Sequence, residues 1–172
     1  MRQITQAIVG LLLLAGLVAA RADVAATASN DAVMDAEAFA DTASEALDVM
    51  AKEAEGRGMK GVAVIAFMPD GVPQGWHSRM RVVGGFVQGK SNVLGIAYGK
   101  VAEMANTLED SGLAGRTPLK GEYGYRGGAI RRVPGGHLLA AFSGGSSDDD
   151  LAVANLGLDV LDAAERAAAV AR

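Results

Sequence analysis

Apolar residues recur at three- and four-residue steps from about Asp31 to Glu55. Val33, Phe39, Ala43, Leu47, Met50 and Ala54 keep to one face, with one longer gap, and Gly56 and Gly58 stop the run. The spacing predicts a first helix. "GVAVIAFM" (Gly61 to Met68) is short, apolar and β-branched, as expected of a strand covered on both faces. "PDGVP" (Pro69 to Pro73) is turn chemistry. "WHSRMRVV" then alternates: Trp76, Ser78, Met80 and Val82 fall on one side, and His77, Arg79, Arg81 and Val83 on the other. That is a strand with one mainly apolar face and one basic, wet face.

A second helix is predicted from about Asn92 to Asp110. Its inner stripe is Leu94, Ala97, Val101, Ala105 and Leu108, and Gly112 is the terminating glycine. Gly95 and Gly99 each weaken it by roughly 1 kcal/mol relative to alanine, which implies that something packs closely there. "YGYRGGAIRRV" and "HLLAAFS" read as two strands joined through Pro134-Gly135-Gly136. A third helix runs from Asp148 to about Ala169 with Leu151, Ala154, Leu158 and Leu161 on one stripe. The order α-β-β-α-β-β-α places hairpins between helices. It predicts an α+β fold, a single α-β-α domain with an antiparallel sheet of about five strands flanked by helices.

The chain start reads differently. A basic Met1-Arg2-Gln3, an apolar Ala7 to Val18 and the small-x-small Ala20-Arg21-Ala22 predict a secretory leader over 1–22. The apolar core is shorter than the roughly 20 residues that spanning a bilayer takes. A mobile lead-in over 23–31 and one domain over 32–172 follow. Removing Arg2 and Arg21 with the leader leaves 14 basic against 20 acidic residues, a net charge of −6. Such a surface is a poor match for nucleic acid. The absence of cysteine excludes thiol catalysis, thiolate metal sites and disulfides.

"FSGGSSDDDLAVANLGL" (Phe142 to Leu158) has the strand, glycine loop and helix order of a phosphate-cradling loop. It lacks the Gly-Lys-Ser/Thr ending and any lysine within the loop, and three aspartates fill the first helical turn. With Ser147 as N-cap, Asp148, Asp149 and Asp150 are expected to satisfy the helix dipole instead. Consecutive helical residues point about 100° apart, so the three do not converge on a calcium ion.

The same stretch resembles the C-terminal signature of the GlcG/HbpS-like family, also called the haem-degrading domain family. "VAVIAF" is similar to that family's first strand, "SRM" (Ser78 to Met80) to its Arg-Met segment, and "IAYGKVAEMANT" to its Ala-x-x-Lys-Ala helix with Lys100 at the lysine position. "RGGAI" (Arg126 to Ile130) sits where the family has Gly-Gly-x-Pro-Ile. The proline is missing here, and Leu138-Leu139-Ala140-Ala141 replaces the family's Gly-Ala-Ile-Gly. The resemblance covers about Ala32 to Ala164. It implies a compact α-β-α domain, homo-oligomers and, in exported members, haem binding.

Haem takes an axial donor in an apolar slot, with Arg or Lys for the propionates. His77, Arg79 and Arg81 share a strand face and form the leading constellation, with His77 as candidate iron ligand; a solvated polar face is the alternative. Lys100, His137 and Arg131 complete the ligand-binding candidates. Arg132 and Arg126 are further cations, Met80 is expected in the core, and Tyr123 and Tyr125 share a face as aromatic packing or a haem donor. No catalytic residue is assigned. Ser143 or Ser146 with His137 lacks the Gly-x-Ser-x-Gly elbow of a serine hydrolase and an acid partner. The expected function is an exported protein, periplasmic or extracellular, that binds haem or a related tetrapyrrole without turnover. An oligomeric interaction module, a small-organic-acid binder or a haem-degrading enzyme are the alternatives. The expected partners are a small molecule and further copies of the chain, with no nucleic acid and no membrane after the leader is removed.

Overall fold

In the computed structural model, the residues described are 36–71 and 75–170. The expected leader (1–22), the lead-in (23–31) and the start of the first helix lie outside them, as do Val72 and Pro73 of the expected turn. The chain runs α1 (Ala36–Gly56), β1 (Gly61–Pro69), β2 (His77–Val83), β3 (Val87–Gln88), β4 (Ser91–Asn92), α2 (Val93–Thr107), β5 (Gly128–Val133), β6 (Gly136–Ser143) and α3 (Ser147–Val170). This is the expected α+β domain, with three helices among the described residues and every named strand pair antiparallel. The main sheet has four strands in the order β2-β1-β6-β5, and β3 and β4 form a separate two-stranded hairpin.

The central strands read as unbroken apolar runs because helices cover both of their faces. Ala63, Ile65 and Phe67 of β1, with Leu138, Ala140 and Phe142 of β6, pack under α1 and α3. The alternate residues Val62, Val64 and Ala66, with Leu139 and Ala141, pack under α2. Two cores thus share one sheet, and α2 has a face of it to itself.

β2 is an edge strand, and its two sides are covered differently from the sequence expectation. His77, Arg79 and Arg81 lie opposite Phe67, Ile65 and Ala63 in register, so they face the α1 side. There Arg81 pairs with Asp48 of α1, and the His77 ring lies 6.0 Å from Phe39 at 31°. The basic side is therefore partly sheltered by a helix, while Val82 on the supposedly apolar side is exposed.

Three helix and strand ends also shift. α2 stops at Leu108, which takes a left-handed φ of 58° and donates its N–H to Met104 O at 2.8 Å. Gly112 belongs instead to the following loop, held by the Glu103 carboxylate through its N–H at 3.1 Å. β5 begins only at Gly128. Tyr123 and Tyr125 stack on each other at 5.9 Å in that loop, and Tyr123 lies against Gly99. This close neighbour accounts for Gly99, whereas a Cβ at Gly95 would meet only ordinary contacts. Ser146 caps α3 rather than Ser147: its hydroxyl accepts the N–H of Asp149 at 3.2 Å.

Candidate functional site

Two clefts open on the α2 face, at opposite ends of the sheet. The first is apolar, about 440 Å³, where β1 ends and β6 begins. Met68, Trp76, Ala105 and Leu108 supply its walls, and His137 and Asp70 its polar groups. His137 stands opposite Met68 in register and so points to the α2 side, where its side chain is 14% exposed. Its Nδ1 lies 3.9 Å from Asp70 Oδ1. Arg132 grips Asp70 with both terminal nitrogens at 3.0 and 2.7 Å and also donates to Gly136 O at 2.7 Å. The Asp70 N–H bonds Gly135 O at 2.9 Å, so the β5–β6 turn and the end of β1 are fastened together beside the imidazole. Leu108 is the non-glycine residue with positive φ among those described, and it is 52% exposed at the cleft. Strained backbone of this kind costs about 1–3 kcal/mol and clusters at binding sites.

The second cleft is polar, about 280 Å³, between the start of α2, the β6–α3 loop and the β3–β4 hairpin. At its floor is Lys100, on the stripe of α2 that turns inward and only 2% exposed. Its Nζ bonds Asp150 Oδ2 at 2.7 Å and Phe142 O at 2.6 Å. Asp150 in turn accepts the Gly145 N–H at 2.7 Å. Burial pushes the Lys100 ammonium below its ordinary value, and the Asp150 charge opposes that shift. Gly127, at φ 123°, passes so close that a Cβ there would lie 2.5 Å from both Lys100 Nζ and Asp150 Cβ; only glycine fits. Gln88 of β3 closes one side, donating to Gly144 O at 3.0 Å and to Lys60 O.

The three aspartates of α3 thus divide their labour. Asp148 pairs with Arg126 at 2.6 Å and Asp149 with Arg57 at 2.8 Å, while Asp150 turns inward to Lys100. The Ser146 hydroxyl and then Arg57 hold the Asp149 carboxyl below the usual carboxylate range.

The six candidate ligand residues do not gather in one place. His77, Arg79 and Arg81 occupy the α1 side of the β2 edge. Arg131 lies on the same side of the sheet at the β5 edge, bonded to Asp159 and Asp162 at 2.9 Å each. Three strand spacings separate those edges, roughly 14 Å. Lys100 and His137 lie on the other side, one in each cleft. Arg131 and Arg132 face opposite sides, as their adjacency demands. Ser143 and His137 stand at opposite ends of β6, about 20 Å apart along a strand, and Ser146 is committed to its cap, so no serine–histidine couple forms.

Sequence reading missed Trp76 and Leu108 as cleft walls, Asp70 as the partner of Arg132, and the Lys100–Asp150 pair. One signal was available: Lys100 lies three residues after Ala97 and four before Met104, on the buried stripe, where a cation must find an anion. Among the described residues no cluster of three or more His, Asp or Glu is placed to hold a metal ion, and no helix is long and apolar enough to cross a membrane. No family model matches the chain, and neither does any curated protein or solved structure.

Proposed function

We propose that this domain binds a flat, largely apolar ligand bearing acid groups, haem or a related tetrapyrrole, in the apolar cleft and without turning it over. The observation that carries the reading is a largely buried imidazole, His137, in the wall of a cleft otherwise built from Trp76, Met68, Ala105 and Leu108. A neutral imidazole is an axial donor to haem iron, and apolar walls suit the macrocycle. The cleft volume falls within the roughly 300–1,000 Å³ common for small-molecule sites. Arg132 stands beside the cleft, bonded to Asp70 of its lining, and would pair with a ligand carboxylate by exchanging that partner. The resemblance of the sequence to the GlcG/HbpS-like family adds to this reading, and the leader pattern adds export. Self-association belongs to the same proposal.

This assignment moves the iron donor from His77 to His137. The His77 ring is engaged with Phe39 on the helix-covered side, and its neighbour Arg81 is engaged with Asp48. Titrating hemin into the protein is expected to give a saturable Soret shift at about one hemin per chain, weakened about tenfold or more in His137→Ala and unchanged in His77→Ala. A spectrum equal to free hemin plus non-saturable adsorption would end the proposal. Loss of the shift in His77→Ala alone would move the site back to the β2 edge.

A further inference from the structure

We infer that the polar cleft is a second ligand site, one that takes a neutral saccharide with a sugar ring laid on Tyr125. The charges at this cleft are matched. Lys100 is paired with Asp150 at 2.7 Å, and Arg126 with Asp148 at 2.6 Å. A charged ligand would have to draw one partner out of an ion pair, whereas an uncharged one leaves both pairs standing. The lining groups outside those pairs suit hydroxyls. Ser91 and Ser147 are exposed and can each donate and accept. Gln88 spends its amide nitrogen on Gly144 O at 3.0 Å and on Lys60 O, which leaves its amide oxygen to accept. A sugar hydroxyl, donor and acceptor at once, is served by all three.

Another part of the lining is aromatic. Tyr125 borders the cleft half-exposed, and the half-exposed Tyr123 stacks on it at 5.9 Å with ring planes 16° apart. Tyr123 is seated in turn against Gly99 of α2, where a Cβ would come within 2.8 Å of its ring. The pair is therefore held in place before any ligand arrives, and a fixed platform loses little freedom on binding. This combination selects the ligand class. The C–H groups on the face of a pyranose ring are slightly positive and suit the negative face of an aromatic ring. Its hydroxyls stand around the rim, where the serines and Gln88 meet them. A nucleobase, apolar on both faces, calls for a second aromatic wall. The volume of about 280 Å³ lies just under the roughly 300–1,000 Å³ usual for larger ligands, and so suits a single ring of a chain.

The test titrates the whole protein with maltotriose, cellotriose and chitotriose, neutral chains that differ in linkage and substituents. Backbone ¹⁵N–¹H shifts at Tyr125, Gly144 and Gly145 are followed. At least one of the three is expected to shift them saturably, with trigalacturonate and adenosine each at least about tenfold weaker. Tyr125→Ala is expected to weaken that saccharide about tenfold or more, with the wild-type circular dichroism spectrum retained. Tyr125→Phe, which keeps the ring, is expected to bind within about twofold of wild type. His137→Ala is expected to leave saccharide binding unchanged, which separates this site from the apolar cleft. The inference is overturned if none of the three chains gives a saturable shift, or if trigalacturonate or adenosine binds as tightly. It is equally overturned if Tyr125→Ala binds as wild type does, or if Tyr125→Phe falls as far as Tyr125→Ala.

Discussion

A lysine on the inward stripe of a helix must reach water or meet an anion, because an unpaired buried ammonium is expensive. Lys100 is only 2% exposed, and Asp150, fifty residues further on, meets it. Desolvating the two charges offsets much of their attraction, so the pair contributes little net stability while intact. Breaking it is another matter. Lys100→Met is expected to destabilise the protein by about 3–5 kcal/mol, because Asp150 is left buried and charged. Adding Asp150→Asn is expected to recover a substantial part of that loss. Urea unfolding of the single and double variants checks both, and equal midpoints for wild type and Lys100→Met would show that the pair is not buried in solution.

Among the elements, the helices betray close contacts through their glycines. Gly157 lies on the buried side of α3 where Met50 of α1 crosses, and an added Cβ would run into the Met50 sulfur. Helix propensity alone favours alanine there by about 1 kcal/mol. Met50 is fully buried, so its thioether has nowhere free to swing, and overpacking a filled core costs about 1–3 kcal/mol. Gly157→Ala is therefore expected to lower stability, by a net amount of up to about 2 kcal/mol. A higher thermal midpoint in that variant would mean that the α1–α3 contact is looser than the structure has it. Gly99 does similar work on α2, where Tyr123 lies across it.

For the whole molecule, the long loop between α2 and β5 is held by charge rather than by strands. Arg116 stands 2.6 Å from Glu122 Oε2 and 3.6 Å from the buried Glu103 carboxylate. The Arg116 guanidinium, and then the Leu119 N–H, hold the Glu122 carboxyl below its ordinary value. Asp149 is lowered likewise. With folded values below unfolded ones, the unfolded chain binds protons first as the pH falls. The stability contributed by these groups is complete above the ordinary carboxyl range and is lost as the pH drops through their folded values. Wild type is accordingly expected to lose more stability than Glu122→Gln between about pH 5 and pH 3, in urea midpoints taken across that range. Parallel curves for the two proteins would show that the Arg116–Glu122 pair does not hold the loop.

The arrangement of helices and hairpins was legible in the chain because it depends on local periodicity. Phe39, Ala43, Leu47 and Met50 mark a helix at any distance from their partners, and the unbroken apolar run of β1 already announced a strand buried on both sides. Gly99 of α2 announced a close neighbour, though not that it is Tyr123, and Gly95 has none. What the sequence could not settle was convergence. His77, Arg79 and Arg81 share a strand face by geometry alone, but whether that face meets solvent, a ligand or α1 depends on which residues stand opposite in register. The alignment of Phe67 with His77 decided it. Lys100 with Asp150, and His137 with Trp76 and Leu108, come together only after strands pair and α2 is laid across them. Periodicity along a chain reports which side of an element is buried. Only the packed sheet fixes what lies on the far side of that surface, and both clefts are made there.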